Sequence, residues 1–380
     1  MNTVPIYLDY NATTPVDPRV LEAMLPYLAV HYGNPSSDHV VGQRAKAAVE
    51  AARAEVASLI GAVPAEIVFT GCATEANNLA LLGAARAALP SGRTLLVTSV
   101  IEHPSVLQPL RHLAREGWSL TELPVDAAGR VQVDHAANLI TPEVALVSVM
   151  LANNETGSLQ AVRALADLAH AAGALMHVDA AQAVGKVAVD VDALGADLLT
   201  LAGHKFYAPK GVGALYVRTG VAIEPIQYGA GHEHGLRPGT ENVPHIAALG
   251  KAARLARTTL AQEAARMTAL RDRLHGLLAA DISGLQLNGH PTERLPNTLN
   301  ISFPAVAGWQ VLAAAPTVAA STGSACHAGD HAVSGVLAAV GLTREAAAGA
   351  VRLSLGRFTT ESDIDTAAEA LIGAWKSLTA

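Results

Sequence analysis

The chain predicts an α/β fold: a large, mostly parallel sheet between helices, followed by a smaller α+β part. Three observations carry this. Short apolar runs recur at 66–70 (EIVFT), 94–100 (TLLVTSV), 144–150 (VALVSVM), 174–179 (ALMHVD), 197–201 (DLLTL) and 213–217 (GALYV). They lack strict polar alternation, so they read as strands buried on both faces. Helical stretches separate several of them, as parallel crossovers require.

The elements follow in order. Ala45, Ala48, Val49, Ala52, Val56, Leu59 and Ile60 recur at helical spacing and predict an amphipathic helix before the first strand. The six strands then run to about residue 218. A long Ala/Leu/Arg-rich helix occupies about 244–280. Beyond it the texture changes to isolated strands, TLNISF and VRLSL, among helices, ending in an amphipathic helix at about 361–378. A domain change within or just after the long helix gives a large domain over 13–255, with 1–12 and 256–380 forming the small one.

Composition bounds the chemistry. The chain has 380 residues, 51% hydrophobic and 16% charged, with a formal charge of −7. A chain of this size buries roughly 75% of its unfolded surface, so it has core enough without disulfide or metal staples. Mild acidity argues against a nucleic-acid partner. No apolar run reaches the roughly 20 residues of a membrane span, and no basic-then-apolar leader opens the chain. Two distant cysteines, Cys72 and Cys326, fit a reducing cytoplasm. The glycine-rich dinucleotide and triphosphate motifs, H-E-x-x-H and G-x-S-x-G are all absent.

The chemistry-bearing residues gather where strands end. Asp179 closes MHVD, and Lys205 lies in the turn of LAGHKFYAPKGVG. Ligands of open α/β sheets collect at such carboxyl ends. A desolvated lysine there can form a Schiff base, and a nearby carboxylate can hold a pyridinium nitrogen, the pair a pyridoxal phosphate site needs. The plainer alternative is a solvated Lys in a Gly-rich turn and a helix-capping Asp. Thr74, in FTGCATEANN, opens a helix whose free amides suit a phosphate, or it belongs to an ordinary helix start. His204 is a second possible phosphate donor. His103, in SVIEHPSV, follows another strand and could stack on an aromatic cofactor and exchange protons. Cys326, in STGSACHAGDH, sits among small and polar residues, which suggests an exposed, reactive thiol. Its alternatives are a chance surface thiol and a metal site with His327, Asp330 and His331. Cys72, at a strand–helix junction, reads as structural. Arg352, in VRLSLGRFTT, suits bidentate capture of a carboxylate, or is an ordinary strand arginine.

With those residues assembled, the chain resembles the cysteine desulfurases of the class V aminotransferase group, fold-type I pyridoxal phosphate enzymes. The motifs are YLDYNATTP, GNPSS, ATEANN, EHPSV, NNETG, HVDAAQ, GHKFYAPKGVGALYV, RPGTEN, LPNTLNISF, STGSAC and RLSLGRFTT, in order along essentially the whole chain. The resemblance implies that Lys205 carries pyridoxal 5'-phosphate and later moves the Cα proton. It implies Asp179 on the pyridine nitrogen, Gln182 on the ring hydroxyl, and His103 stacked on the ring. Thr74 and His204 would hold the phosphate, with Thr240 reaching it from the second subunit of a homodimer. Asn154, Asn34 and Arg352 would position L-cysteine, Arg352 on its carboxylate. Cys326 would take the sulfur as a persulfide, leaving alanine, and pass it to an acceptor such as an iron–sulfur scaffold.

Several positions depart from the family pattern. Ala202 stands where a phosphate-binding Ser is usual, which implies weaker cofactor retention. Cys72 replaces a Gly of the phosphate turn. Val333-Ser334-Gly335-Val336-Leu337 lacks the usual Pro-Ser, which implies a looser exit from the cysteine loop. His234 and Pro238 also differ. Selenocysteine lyases share RPGTEN and the Cys-His start of the loop but carry an acidic residue after the active-site His; here that residue is Pro104, which favours cysteine. Two other readings are an ordinary aminotransferase, which has no use for the Cys326 thiol, and a non-catalytic sulfur carrier, against which the intact Lys205, Asp179, His103 and Cys326 speak.

Overall fold

A computed structural model describes residues 4–322 and 334–380. The first half runs β1 (Ile6–Tyr7), α1 (Pro18–Ala29), α2 (Val40–Ile60), β2 (Ile67–Thr70), α3 (Ala73–Ala88), β3 (Leu95–Ser99), α4 (Pro104–Arg115) and β4 (Ser119–Leu123). Next come α5 (Val133–Ala137), β5 (Val144–Met150), α6 (Val162–Ala171), β6 (Leu175–Asp179), α7 (Val191–Leu194), β7 (Leu198–Ala202) and β8 (Gly213–Val217). After the 39-residue helix α8 (Val243–Asp281) follow β9 (Gln286–Leu287), β10 (Thr298–Ser302), α9 (Gly308–Ala314) and β11 (Val318–Ala319). The chain ends with α10 (Gly335–Ala339), α11 (Arg344–Ala348), β12 (Ala350–Ser354) and α12 (Glu361–Thr379).

All six expected strands join one seven-stranded sheet of order β2-β8-β7-β6-β5-β3-β4. Its pairs are parallel except at β8, which runs against both β7 and β2. The seventh strand, β4, was not expected from the sequence. Its segment SLTEL is only partly buried and mixes polar with apolar residues, as an edge strand does.

Successive sheet residues feed opposite cores. Ile67, Val97, Val147, Val178 and Leu199 pack with α2, α6 and the first half of α8. Val68, Leu96, Leu146, Leu198 and Leu215 pack with α3 and α4. This is a sheet covered on both faces, which explains the near-continuous apolar runs. A separate core joins Leu270, Leu274 and Leu278 of α8 with β10, β12 and α12. Helix α8 thus serves two cores, through Ile246–Ala256 and then through Leu270–Leu278. At Gly250 any added Cβ would fall 2.5 Å from Ala52, so the glycine lets α8 cross α2 closely.

This topology positions the site. Because β8 opposes both its neighbours, β2 runs in the same sense as β7. The carboxyl ends of β2, β3, β5, β6 and β7 therefore lie along one edge of the sheet. Among the described residues no helix is long and apolar enough to cross a membrane.

Candidate active site

Residues 11–14 strap the chain's beginning across that edge. Thr14 donates from its N–H and hydroxyl to the His204 carbonyl, at 3.0 and 3.1 Å, and its Oγ1 accepts from Tyr207 N at 2.9 Å. These bonds help hold Tyr207 at φ +74°, a left-handed backbone that costs a non-glycine residue energy. Lys205, in the turn after β7, donates from Nζ to the carbonyls of Asn11 and Ala12 at 2.6 and 2.8 Å. Burial and the Arg352 charge lower its pKa to about 8, against the opposing pull of Asp9 and Asp179. A lysine so depressed has a substantial free-amine fraction near neutral pH, as Schiff-base chemistry needs.

Asp179 is the last residue of β6 and is buried. Its two oxygens accept from Ala181 N and Asn77 Nδ2, both at 2.9 Å. Asn77 lies on α3 and also donates to Ser105 at 2.9 Å. Ser105 N–H in turn donates to His103 Nδ1 at 3.1 Å. Nδ1 is therefore an acceptor, and the proton of the neutral ring sits on Nε2. Burial lowers the His103 pKa, outweighing the attraction of Asp179, and Lys205 lowers it further. One chain of contacts thus links Asp179, Asn77, Ser105 and His103.

The first turn of α3 has no side-chain cap, because its N-cap is Cys72. Thr74 is exposed there. Cys72 has φ −174° and ψ 171°, an extended backbone that any residue adopts, so its replacement of glycine forces no left-handed geometry. Gly213 presses on this turn: a Cβ there would lie 2.9 Å from the Cys72 carbonyl carbon. His204 Nδ1 lies 3.2 Å from Thr13 Oγ1, and burial with the charges of Lys205, Lys210 and Lys186 lowers its pKa to about 4. Ala202, at the end of β7, is buried.

Arg352 is buried in β12. Its Nη2 pairs with Asp9 at 2.7 Å, its Nη1 donates to the Asn154 carbonyl at 3.0 Å, and its Nε has no partner among the described residues. Gln182 donates to the Asn11 carbonyl at 2.9 Å and accepts from Lys186 Nζ at 2.6 Å. Residues 9–14 thus join Lys205, His204, Gln182, Arg352 and Asn154, residues 77 and 105 join Asp179 to His103, and the two groups meet in the electrostatic pull of Asp179 on Lys205 and of Lys205 on His103. Among the described residues no hydrogen bond joins Asn34 or Thr240 to that cluster. Both are exposed, Asn34 in an Asx turn onto Ser36 N at 2.9 Å. Their loops supply Pro35, Ser36 and Glu241 to the walls of a cavity of about 370 Å³ elsewhere on the surface. Cys326, with His327, Asp330 and His331, lies outside the described residues. Just after that segment, Ser334 caps α10 and donates to the buried Glu155 at 2.5 Å, so Ser334 itself fastens α10 without the usual proline before it.

Reasoning from sequence missed Asp9, Asn11, Asn77, Ser105 and Lys186. Asn11 and Asn77 lie inside motifs already singled out, YLDYNATTP and ATEANN. Lys186 had one signal, a charge in the apolar run AVGKV four residues after Gln182.

The arrangement fits a pyridine phosphate. A carboxylate fixed by two N–H donors, an amine facing only carbonyl oxygens and an uncapped helix start stand along one sheet edge. Comparison with known proteins agrees. The family model for aminotransferase class-V matches residues 6–366. The chain is 47% identical over 367 residues to the cysteine desulfurase IscS of Anaeromyxobacter dehalogenans, covering 96% of this chain and 91% of that protein. Among solved structures, a NifS-like protein superposes with a TM-score of 0.91 at 36% identity, over 99% of both chains. The protein SspA in complex with cysteine superposes at 0.82 and 34% identity, over 93% of this chain and 99% of that one. The chain belongs to the aminotransferase class-V family of fold-type I pyridoxal phosphate enzymes, among its cysteine desulfurases.

Proposed function

We propose that the chain converts L-cysteine to L-alanine and takes the sulfur on Cys326 as a persulfide. The observation that carries the reading is the meeting of Lys205, Asp179 and His103 at one sheet edge, with the Lys205 pKa lowered to about 8. When bound, pyridoxal phosphate supplies an electron sink for the carbanion at the substrate's Cα. Lys205 would hold the cofactor and carry the Cα proton on Nζ. Asp179, fixed by Asn77 and Ala181, keeps a proton on the ring nitrogen. His103 would stack on the ring, and Gln182 would meet the ring hydroxyl. Thr74, His204 and the uncapped turn of α3 receive the phosphate. Arg352 receives the substrate carboxylate beside Asn154. The Cys326 thiolate bonds to the substrate sulfur as the Cβ–S bond breaks. The electron pair of that bond goes to Cβ, which takes a proton, leaving alanine and the Cys326 persulfide.

Incubation with L-cysteine tests this. Alanine should form, and mass spectrometry should find one added sulfur atom on the Cys326 peptide. Sulfur on Cys72 instead would refute the assignment. Alanine release from cysteine and selenocysteine, measured side by side, tests the substrate; Pro104 after His103 supports cysteine.

The proposal extends to assembly. Leu21, Leu25 and Leu28 make an exposed stripe on α1, 45–53% accessible, with Tyr32 close by in sequence at 75%. A homodimer would cover such a stripe, and would let the exposed Thr240 reach the phosphate of the partner's site. Sedimentation should then give twice the chain mass. The large domain would span 13–255 and the small one 1–12 with 256–380; the division of α8 between two cores supports that boundary. A cytoplasmic setting and transfer to an iron–sulfur scaffold or similar acceptor complete the reading; two cysteines this far apart in sequence fit a reducing compartment.

A further inference from the structure

A second lysine lies beneath the first. Lys186 is buried, and its Nζ donates to Asn11 Oδ1 at 3.0 Å and to Gln182 Oε1 at 2.6 Å. Gln182 must then turn its Nε2 the other way, where it donates to the Asn11 carbonyl at 2.9 Å. That same carbonyl takes the Nζ of Lys205 at 2.6 Å. Both lone pairs of Asn11 O are thereby used. Asn11 Oδ1 is shared between Lys186 and Asn297 Nδ2, the latter at 3.1 Å. Asn11 Nδ2 donates to Asn154 O and Thr298 Oγ1 at 3.2 and 2.9 Å.

We propose that Lys186 is a positioning residue: by tying Asn11 Oδ1 to Gln182 Oε1 it sets which way the Gln182 amide faces and where the Asn11 carbonyl meets Lys205. The proposal rests on reading Lys205 as the cofactor lysine. Burial and the charges of Lys205 and Arg352 push the Lys186 pKa well below the ordinary lysine range. An uncharged amine has two N–H donors, and the site offers two acceptors. The geometry therefore suits a neutral amine better than an ammonium, which would bring a third N–H. Without Lys186, the Gln182 amide loses one of the two hydrogen bonds that define its orientation and keeps only its donation to the Asn11 carbonyl. A flipped amide would aim oxygen at the oxygen of Asn11, and would show the opposite polarity to a ring hydroxyl. Lys186 thus acts on the cofactor region through Gln182 and Asn11, without touching the reacting atoms.

Substitution Lys186→Met keeps the apolar stem and removes the amine; Lys186→Gln keeps a short donor if the first variant does not fold. The holoenzyme is titrated by its visible absorbance, and cofactor loss on dialysis is measured. Loss of hydrogen bonds of this kind should weaken pyridoxal phosphate retention about tenfold and move the pH midpoint of the absorbance, with thermal unfolding of the stripped full chain little changed. In a Gln182→Leu background the same substitution should add less than about twofold, since neighbours sharing a network are non-additive. Unchanged retention and midpoint, or an equal loss in that background, would overturn the proposal. Lys205→Ala separates the underlying reading: a borohydride-fixed covalent link between pyridoxal phosphate and that variant would refute Lys205 as the cofactor lysine, whatever Lys186 does.

Discussion

The amine of Lys205 is held 2.6 Å from the main-chain oxygen of Asn11, a residue 194 positions earlier in the chain. A carbonyl dipole, unlike a carboxylate, orients the amine without contributing a full negative charge. Burial and Arg352 then dominate, and the pKa settles at about 8. Below that value the amine is mostly protonated and unreactive toward an aldehyde. The rate at which the stripped protein takes up pyridoxal phosphate should rise about tenfold per pH unit below about 8 and level off above it. Stopped-flow absorbance across pH 6–10 measures this; a flat profile over that range would contradict the assignment.

Glu102 offers a test of stability. Its carboxyl is buried, and desolvation lifts its pKa from 4.5 to about 8 despite hydrogen bonds from Ser99 and Met150 N. Between those two values the folded chain binds a proton that the unfolded chain has released. Stability should therefore fall as pH rises from about 4.5 to 8. Glu102→Gln, which mimics the protonated acid, should flatten that part of the profile. Urea midpoints at pH 5 and pH 8 for both proteins read the difference directly.

Ser334→Ala removes the α10 cap and the hydroxyl that donates to Glu155. A lost cap costs about 1 kcal/mol, and a buried acid left without its donor costs about 1–3 kcal/mol more. The urea midpoint should fall accordingly. An unchanged midpoint would show that this anchor contributes nothing to stability.

Ala202→Ser restores the hydroxyl usual in the resembling family. If the hydroxyl reaches the phosphate, a charge-assisted hydrogen bond worth roughly 1.5–3 kcal/mol should tighten cofactor binding at least tenfold. Equilibrium dialysis of the two proteins decides it; equal affinities would show that other donors already satisfy the phosphate.

Arg352→Lys keeps the charge but loses the fork that grips Asp9 and the Asn154 carbonyl together. The expected result is a KM for cysteine raised about tenfold or more, with the cofactor spectrum intact. Steady-state alanine release gives KM, and an unchanged value would remove Arg352 from the substrate carboxylate.

The sheet was legible because its strands are covered on both faces. The run VALVSVM holds a single polar residue, Ser148, whose hydroxyl is matched inside the sheet by His177, so its apolar pattern stays plain. Strand β4 escaped notice because SLTEL lies at the sheet edge and is half polar. Asp179 and Lys205 stood out because each follows a buried run, where a charge needs a reason. Asn11, Asn77 and Lys186 did not, since their importance lies in partners 102 or more positions away in every case but Gln182 and Ser105. A sequence shows a hydrogen-bonding residue; only folding shows what it bonds. Asn34 and Thr240 illustrate the reverse case, prominent in motifs yet exposed and without a hydrogen bond to the Lys205 cluster among the described residues.

The strap of residues 9–14 has a consequence for biosynthesis. Asn11 leaves the ribosome early, yet its contacts wait for Lys205, Asn297 and Ser354. Asp9 likewise waits for Arg352. A nascent chain can assemble much of its sheet during translation, but its reactive pocket closes only after Arg352 and Ser354 have been made. Premature chemistry on free cysteine is thereby denied to unfinished polypeptides.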